Sequence, residues 1–320
     1  MKDPAGIEPA ASSERQSGPG VEPAGVEPAG VEPAGVERPD DTDLPLDAHL
    51  HTILSPDADA AIDAHAAAAV ERGIEEIAIT DHLDFEPGAP AYAFADHATS
   101  ERYVREAAER WADSGVTIRF GIEITYQRRH EEAIREHLAH CSYDYAIGSV
   151  HLMAGDPWAA GRAAAWVEGR TLAEVVAPYF DEVLGAIESE LFDTIGHLDY
   201  VKKYLFPHVT PAQLGAAPEL YEPLLNALVE TGTSLEVNTS GLRQAALETY
   251  PAAWAVGRYR ELGGRQVTVG SDAHLARSFA FGLGRGYALA GEAGFGEVSF
   301  PRGGTRSRGG EPIAIANPRR

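Results

Sequence analysis

The chain has 320 residues, of which 44% are apolar, and its formal net charge is −23. That length and composition suffice for one α/β domain of roughly 250 residues with a full core. The excess of acid is not confined to the ends, because 38 acidic and 18 basic residues lie between positions 44 and 300. An acidic surface repels nucleic-acid phosphates, so we expect no nucleic-acid partner.

Cys141 is the single cysteine, which excludes an intramolecular disulfide and indicates a reducing compartment. No apolar stretch of the sequence approaches the roughly 20 residues that cross a bilayer. The first ten residues also lack the apolar core of a signal peptide. We therefore expect a cytoplasmic protein without a membrane partner, and its oligomeric state is left open.

The two ends of the chain differ from its middle. Residues 21–35 repeat Val-Glu-Pro-Ala-Gly three times. Because each copy contains Pro and Gly, which interrupt helices and sheet ladders, residues 1–43 are predicted to form a disordered acidic tail. Residues 301–320 are predicted to form a flexible C-terminal tail, with a short last strand over 312–316 as the alternative. The folded domain is then predicted to span 44–300.

Seven short apolar runs divide this domain, and six of them end on a histidine or a carboxylate. A run rich in Ile and Val, followed by a helical pattern, is typical of a buried parallel strand. In chain order, the runs are 46–51, 74–82, 117–123, 144–151, 193–197, 234–238 and 266–274.

Helical patterns fill the gaps between these runs. The predicted helices are 59–72, 99–114, 129–140, 171–189, 211–230 and 247–262. Repeated strand–helix alternation implies parallel strands joined by right-handed crossovers, either in a barrel or in a doubly wound sheet. Polar residues at the ends of so many strands favour the barrel, because an open sheet brings few strand ends to one crevice.

Six histidines close or end the apolar runs, namely His49, His51, His82, His151, His197 and His274. Carboxylates of Asp57, Glu123 and Asp272 complete the set, with Asp84 and Asp199 as alternatives to Asp57. These nine nitrogen and oxygen donors exceed the four to six ligands of one ion. They suit two or three Zn²⁺, Mn²⁺ or Fe²⁺ ions better than Ca²⁺ or Mg²⁺, which prefer oxygen ligands.

In order and spacing, these residues resemble the polymerase-and-histidinol-phosphatase (PHP) superfamily. The segments 148–151, 195–198, 238–243 and 270–274 are similar to its histidinol-phosphate phosphatase branch, and the resemblance covers about 46–286. It implies a distorted (β/α)7 TIM-like barrel, a trinuclear metal centre and hydrolysis of a phosphate monoester. Within that branch, the expected reaction converts L-histidinol phosphate to L-histidinol and phosphate in histidine biosynthesis, with a metal-bridging hydroxide as nucleophile.

The family pattern also assigns the donors to individual metals. The first metal would be held by His49, His51, Glu123 and Asp272. The second would be held by Glu123, His151 and His197, so that Glu123 bridges two ions. The third would be held by Asp57, His82 and His274. Some relatives have His where Asp57 stands, which leaves the metal preference of the third site open.

The remaining predicted site residues concern catalysis and phosphate binding. The predicted catalytic residues are Glu123, Asp272, His274 and Arg243. Arg243 is also the first choice for a phosphate clamp, because it follows the sixth apolar run near the rim. Further substrate-binding candidates are Lys202, Lys203, Arg277 and Asn238. Candidates for the amine of histidinol are Glu236, Asp84 and Glu86.

Two alternatives stay open at this point. The same chemistry would serve another small phosphomonoester, such as a nucleotide or sugar phosphate, or a nucleic-acid end. The acidic chain shows no basic groove for a nucleic acid. A non-catalytic metal-binding module is the second alternative; it would lack some of the donors, and none is missing from the sequence.

Overall fold

The computed structural model describes residues 41–151, 162–300 and 311–315. The Val-Glu-Pro-Ala-Gly repeats and most of the C-terminal tail lie outside these residues, so their predicted disorder stays a prediction. Within the described ranges, no helix is long and apolar enough to cross a membrane. The cytoplasmic location stays a prediction.

Eight strands build one parallel sheet. They are β1 (Leu46–Leu50), β2 (Glu76–Ile79), β3 (His82–Leu83), β4 (Thr117–Thr125), β5 (Tyr145–Ser149), β6 (Thr194–Ile195), β7 (Ser234–Asn238) and β8 (Val267–Gly270). The order of neighbours is β1-β2-β4-β5-β6-β7-β8, and the short β3 pairs with β4 beyond the end of β2. Each predicted apolar run therefore overlaps one of these strands, and the second run overlaps two.

Residues at the ends of β1 and β8 close this sheet into a barrel. The Asp272 amide donates to the His49 carbonyl at 2.8 Å, and the His51 amide donates to the Ala273 carbonyl at 3.0 Å. Leu50 and Ala273 form a parallel bridge between these hydrogen bonds. The predicted (β/α) barrel is confirmed. Because closure occurs at the carboxyl ends of the strands, it also brings His49 and Asp272 together.

Ten helices surround the barrel in the described ranges. They are α1 (Ile62–Arg72), α2 (His97–Arg110), α3 (Glu131–His140), α4 (Ala163–Val167), α5 (Leu172–Glu188), α6 (Val201–Tyr204), α7 (Pro211–Gly215), α8 (Glu222–Thr231), α9 (Ala253–Glu261) and α10 (Leu283–Glu292). Gly73 and Gly232 follow α1 and α8 in the left-handed conformation, as is typical of helix ends.

Prolines explain the two helices that differ most from prediction. The single helix predicted over 211–230 is divided into α7 and α8 by a 3₁₀ turn at Pro218–Leu220. Pro218 has no amide hydrogen to continue α7, so the α-helical hydrogen bonds stop there. The helix predicted over 247–262 begins only at Ala253. Pro251 disfavours helical backbone at the preceding residue, which delays its start.

The described residues at both ends of the domain pack on the barrel. The Asp41 carboxylate accepts hydrogen bonds from the amides of Gly282 and Gly284, at 3.1 and 2.8 Å, where α10 begins. Asp41 thus contacts the domain two residues before the predicted tail boundary at residue 43. The sequence pattern does not show this long-range cap, and the boundary stays a prediction. After the barrel, β9 (Glu297–Phe300) and β10 (Glu311–Ala314) pair antiparallel. The last short strand, one of the two predictions for this end, is confirmed.

Candidate metal centre

Nine polar side chains converge where the barrel strands end. They are His49, His51 and Asp57 from β1 and its loop, His82 from β3, Glu123 from β4, His151 and His197 after β5 and β6, and Asp272 and His274 after β8. No side chain of this set is more than 10% exposed. Buried donors of this kind face one another rather than water, which is the environment of a metal site.

The first predicted group contains His49, His51, Glu123 and Asp272. The Nε2 atoms of His49 and His51 are 3.0 Å apart. Glu123 Oε2 lies 3.4 and 3.5 Å from these two atoms, and Asp272 Oδ1 lies 3.8 and 3.3 Å from them. Ligands at 2.0–2.1 Å from a tetrahedral ion are roughly 3.3 Å from one another. The spacing of these four side chains therefore suits one ion.

The second group meets the first at Glu123. Glu123 Oε1 lies 3.0 Å from His197 Nε2 and 3.5 Å from His151 Nε2. These two imidazole nitrogens are 3.1 Å apart. Each oxygen of Glu123 thus faces a different group of donors, which is the arrangement of a carboxylate that bridges two ions.

The third group lies on the other side of the first. Asp57 Oδ2 is 3.6 Å from His82 Nε2 and 3.5 Å from His274 Nε2, and these two nitrogens are 3.3 Å apart. His82 also places its Nδ1 atom 2.8 Å from Glu123 Oε2. The three groups therefore form one continuous cluster. Donor atoms of His51, His82 and His274 also lie within 4.8 Å of one another, so His51 adjoins two groups.

The burial and the chemistry of the donor atoms fit divalent cations. Asp57 Oδ1 is buried and has no hydrogen-bond partner in the part of the chain that the structure describes, and Glu123 Oε2 is buried among imidazole nitrogens. A buried polar atom without a partner costs roughly 1–3 kcal/mol, and coordination to a cation would offset that cost. The mixture of imidazole and carboxylate, without thiolate, suits Zn²⁺, Mn²⁺ or Fe²⁺.

Buried imidazoles and carboxylates also shift one another's pKa values. Burial lowers the pKa of His82, but Asp57 and Glu123 outweigh burial and raise that pKa well above its usual value. Burial raises the pKa of Glu123, whereas the surrounding imidazoles, above all His49, hold it well below its usual value. Burial and the neighbouring imidazoles lower the pKa of His51, which keeps it in the neutral form that binds metals. The carboxylates are therefore ionised and attract positive charge.

Several hydroxyl groups orient the donors, and sequence reasoning missed them. The Thr125 hydroxyl lies 2.8 Å from His151 Nδ1, and the Ser149 hydroxyl donates to Glu123 Oε1 at 2.6 Å. Both residues lie at the ends of strands, and that position is the sequence feature from which their role could be predicted. Partners on the nitrogen opposite the metal fix the ring orientation of a histidine, and they commonly matter for metal affinity.

Two of the nine residues have unusual backbone conformations. His197 has a φ of 20° and Asp272 has a φ of 53°, both in the region that non-glycine residues rarely adopt. Such strain is often found at functional sites, where surrounding contacts hold it in place. For Asp272, the hydrogen bond of its amide to the His49 carbonyl is one of these contacts.

Arg243 follows β7 and lies beside Asp272. Its guanidinium donates to the carbonyl oxygens of Ser271 and Asp272 at 2.8 and 2.7 Å. It is half-buried at the rim of the first group. Arg243 therefore supports the turn that carries Asp272. Its contact with phosphate stays a prediction.

Lys202 and Asn238 face other protein groups in this structure, and their contact with substrate stays a prediction. Lys202 is fully buried, and its ammonium donates to Asp199 Oδ2, Glu248 Oε1 and the Thr249 carbonyl at 2.9, 2.7 and 3.0 Å. Glu248 and Thr249 come from a distant segment, so the sequence pattern does not reveal them as partners of Lys202. Asn238 is also fully buried, and it donates towards carboxylates of its neighbours.

Lys203 and Arg277 stay candidates for phosphate binding. Lys203 is half-buried, and its ammonium lies 4.3 Å from the centre of the Tyr200 ring. That ring stacks on the His197 imidazole at 4.1 Å, so Lys203 is separated from the metal centre by one aromatic side chain. Arg277 is exposed and follows His274 by three residues.

The candidates for amine recognition differ in accessibility. Glu236 is fully buried and uses both carboxylate oxygens, so it does not face an amine at the surface. Asp84, also an alternative ligand, is buried and accepts from the Ala91 amide at 2.9 Å. Glu86 pairs with Arg129 and His130. Asp199, the other alternative ligand, pairs with Lys202.

Comparison with known proteins agrees with this geometry. The family model described as PHP domain matches residues 47–240, which contain seven of the nine donors. A Deinococcus radiodurans protein named "Probable histidinol-phosphatase" is 31% identical over 237 residues, covering 73% of this chain and 88% of the relative. The histidinol-phosphatase of Lactococcus lactis is 26% identical over 258 residues, covering 79% of this chain and 93% of the relative.

Two solved structures share the fold. The histidinol phosphate phosphatase of Lactococcus lactis, determined with zinc, L-histidinol and phosphate, has a TM-score of 0.68 and 24% identity. The match covers 81% of this chain and 97% of that one. A structure from Listeria monocytogenes has a TM-score of 0.60 at 19% identity and covers 76% of this chain and 98% of its own. The chain therefore belongs to the PHP domain family, in its histidinol-phosphatase branch.

Proposed function

We propose that this chain is a metal-dependent phosphatase that hydrolyses L-histidinol phosphate to L-histidinol and inorganic phosphate. The observation that carries the proposal is Glu123, whose two oxygens each belong to a different group of imidazoles. The names of the relatives, and the L-histidinol and phosphate in the Lactococcus lactis structure, support the choice of substrate.

The donors hold two or three divalent ions of Zn²⁺, Mn²⁺ or Fe²⁺. His49, His51, Glu123 and Asp272 would hold the first ion, Glu123, His151 and His197 would hold the second, and Asp57, His82 and His274 would hold the third. When bound, these ions supply the Lewis acid that polarises a phosphate ester and activates water for attack. The zinc in the Lactococcus lactis structure supports metal binding at this end of the barrel.

Charge explains why the protein alone would bind phosphate poorly here. A phosphate monoester would bring further negative charge to a buried cluster that already contains Asp57, Glu123 and Asp272. Repulsion between like charges is strong where water is excluded. Glu123 would therefore serve the reaction through the cations it shares, because its carboxylate would hold them close together and offset their mutual repulsion.

Arg243 contributes the protein's own positive charge at the rim. Its guanidinium donates to the carbonyls of Ser271 and Asp272, which keeps it beside the first group of donors. A guanidinium has five N–H donors and matches the geometry of phosphate oxygens. We assign to Arg243 the contact with a nonbridging phosphate oxygen, and Lys203 and Arg277 stay second choices.

A substrate panel tests the proposed function. Full-length protein is stripped of metal, reloaded with Zn²⁺, Mn²⁺ or Fe²⁺, and assayed for phosphate release from L-histidinol phosphate, sugar phosphates, nucleotides and a 5′-phosphorylated oligonucleotide. L-Histidinol phosphate is expected to give a kcat/KM at least about 100-fold above the others. Phosphate release from none of them would contradict catalysis. Preference for a nucleotide, a sugar phosphate or the oligonucleotide would contradict the substrate alone.

A further inference from the structure

Glu236 is a buried carboxylate that contacts two of the proposed metal ligands without belonging to any metal group. It lies on β7 and is fully buried. Its Oε1 atom is 2.7 Å from His49 Nδ1, the ring nitrogen that points away from the donor cluster. Its Oε2 atom accepts from the His197 backbone amide at 2.8 Å and from the Asn238 side-chain amide at 3.0 Å. One side chain thus contacts residues of the first and the second group.

The neighbouring strands leave space for this carboxylate. A Cβ atom added to Gly270 would lie 2.7 Å from Glu236 Oε1 and 2.4 Å from His49 Cβ. A Cβ atom added to Gly196 would lie 2.4 Å from the Ser149 hydroxyl and 3.4 Å from Glu236 Oε2. Glycine therefore stands next to Glu236 on both sides of β7. The carboxylate occupies space that larger side chains at positions 196 and 270 would otherwise fill.

We propose that Glu236 is a positioning residue that fixes His49 and His197 together and so couples the first two metal sites. This inference rests on the metal centre of the proposed function. A carboxylate next to Nδ1 requires that nitrogen to carry the proton. The Nε2 lone pair of His49 then points towards His51 and Glu123, 3.0 and 3.4 Å away. The other oxygen holds the backbone amide of His197, whose φ is 20°.

The influence of Glu236 extends to Asp272 through Asn238. The Asn238 side-chain amide donates to Glu236 Oε2 and also to Asp272 Oδ2, at 3.0 and 3.3 Å. The Asn238 Oδ1 atom accepts from the Ser240 amide and hydroxyl, which fixes the orientation of the side chain. Asp272 belongs to the first group, so Glu236 supports two of its four ligands.

Glutamine is the informative replacement because it matches glutamate in size but has one acceptor oxygen and one NH₂ group. If the oxygen faces the His197 amide, the NH₂ group faces His49 Nδ1 and requires a lone pair there. His49 would then carry its proton on Nε2, the atom that should bind the metal. If the oxygen faces His49, two N–H groups oppose each other at His197. Glu236→Gln therefore disturbs one metal ligand in either orientation.

The experiment compares Glu236→Gln with Glu76→Gln, a second buried barrel glutamate. Glu76 lies on β2 and pairs with Arg119, away from the donor cluster. Zinc affinity is measured by chelator competition and metal content by plasma emission spectroscopy. Glu236→Gln is expected to weaken the affinity of at least one zinc ion by about 10–100-fold. Glu76→Gln is expected to keep the wild-type affinities. It therefore controls for the general effect of neutralising a buried glutamate.

A measurement on the wild type decides the proposal even if Glu236→Gln does not fold. Long-range ¹H–¹⁵N correlation on zinc-loaded protein with ¹⁵N-labelled histidine reports which nitrogen of His49 is protonated. The Nδ1–H form is expected. A His49 with its proton on Nε2, or a folded Glu236→Gln variant with wild-type zinc affinity, would overturn the role of Glu236. Wild-type protein that binds no metal would instead overturn the proposed function.

Discussion

Two clusters of buried charge lie at the carboxyl ends of the strands, and they differ in the source of their positive charge. In one, the Lys202 ammonium donates three hydrogen bonds, to Asp199, Glu248 and the Thr249 carbonyl. In the other, Asp57, Glu123 and Asp272 face imidazoles, and Asp57 Oδ1 has no hydrogen-bond partner in the described part of the chain.

The difference separates a structural ion pair from a candidate metal centre. A buried carboxylate needs positive charge nearby, and the Lys202 cluster contains its own. In the donor cluster, imidazoles rather than an ammonium group face the carboxylates, and the lone pairs of the donors converge. Cations from solution can therefore bind there. Removing the positive charge should therefore destabilise the fold in the first cluster and should abolish activity in the second.

The largest expected effect comes from Glu123, the carboxylate shared by two groups. Glu123→Gln keeps the size of the side chain but removes its charge. We expect loss of at least one metal per chain and a fall in kcat/KM of at least about 1,000-fold, or about 4 kcal/mol of transition-state stabilisation. Plasma emission spectroscopy and phosphate release measure the two halves of this prediction.

Asp57→Asn is the matched control for Glu123→Gln, because Asp57 belongs to the third group only. Its activity should fall less than that of Glu123→Gln, and the first two groups should keep their metals. A Glu123→Gln protein with its full metal load and most of its activity would rule out a bridged cluster. The comparison between the two regions would then lose its basis.

The next largest effect concerns the stability of the Lys202 cluster, where the protein itself supplies the positive charge. Lys202→Met keeps most of the side-chain volume but leaves the buried Asp199 carboxylate without its ammonium partner. Breaking a buried pair by removing one partner costs roughly 3–5 kcal/mol of unfolding free energy. Urea denaturation measures this loss, and metal affinity per folded molecule should stay unchanged.

Lys203→Met provides the control, because the adjacent lysine is half-buried and lies over the Tyr200 ring. Its unfolding free energy should change by less than about 1 kcal/mol. If Lys203 contacts phosphate, kcat/KM should fall instead. A Lys202→Met protein as stable as the wild type would show that the buried ion pair contributes little to stability.

A third prediction tests whether Arg243 has a structural or a catalytic role. Arg243→Ala should lower kcat/KM by an amount equivalent to about 2–4 kcal/mol, because a charge-assisted contact with phosphate is lost. Metal content should stay the same. If kcat/KM changes less than threefold, phosphate binding belongs to Lys203 or Arg277. If metal content falls together with activity, Arg243 acts by holding the carbonyls of Ser271 and Asp272.

The sequence was sufficient to predict the barrel and the set of candidate donors because both depend on local order along the chain. Each donor closes an apolar run or follows it within a few residues, and parallel strands bring their carboxyl ends to one rim. β7 was predicted with its observed bounds, Ser234–Asn238. His49 and Asp272 meet because the first and last strands of a closed barrel must be neighbours.

The roles of Lys202 and Glu236 could not be predicted because they depend on distant partners. Lys202 is one of several phosphate-binding candidates in the sequence because it lies just beyond His197, yet one of its acceptors is Glu248, 46 residues away. Glu236 was considered for amine recognition, whereas its partner His49 is 187 residues away. Spacing along the chain predicts which end of the barrel a side chain occupies. It does not predict whether that side chain faces substrate or another buried charge.

The smallest expected effects concern the N-terminal residues, where backbone amides rather than a cation bind the Asp41 carboxylate. Deleting residues 1–40 should leave activity and Tm unchanged, because a tail punctuated by Pro and Gly buries little surface. Deleting residues 1–43 also removes Asp41, whose carboxylate accepts from the amides of Gly282 and Gly284 at the start of α10. Loss of such a cap costs about 1 kcal/mol, which lowers Tm by roughly 2–4 °C in a domain of this size.

Differential scanning calorimetry of the two deletions, with Asp41→Asn in the full-length chain as a third sample, separates the tail from the cap. Asparagine keeps an acceptor oxygen but loses the negative charge that favours a helix N-terminus, so its Tm should lie between those of the two deletions. A Tm for the 1–40 deletion several degrees below wild type would show that the repeats themselves contact the barrel. Equal Tm values for both deletions would show that the Asp41 hydrogen bonds add nothing to stability, in contrast to the buried carboxylates at the strand ends.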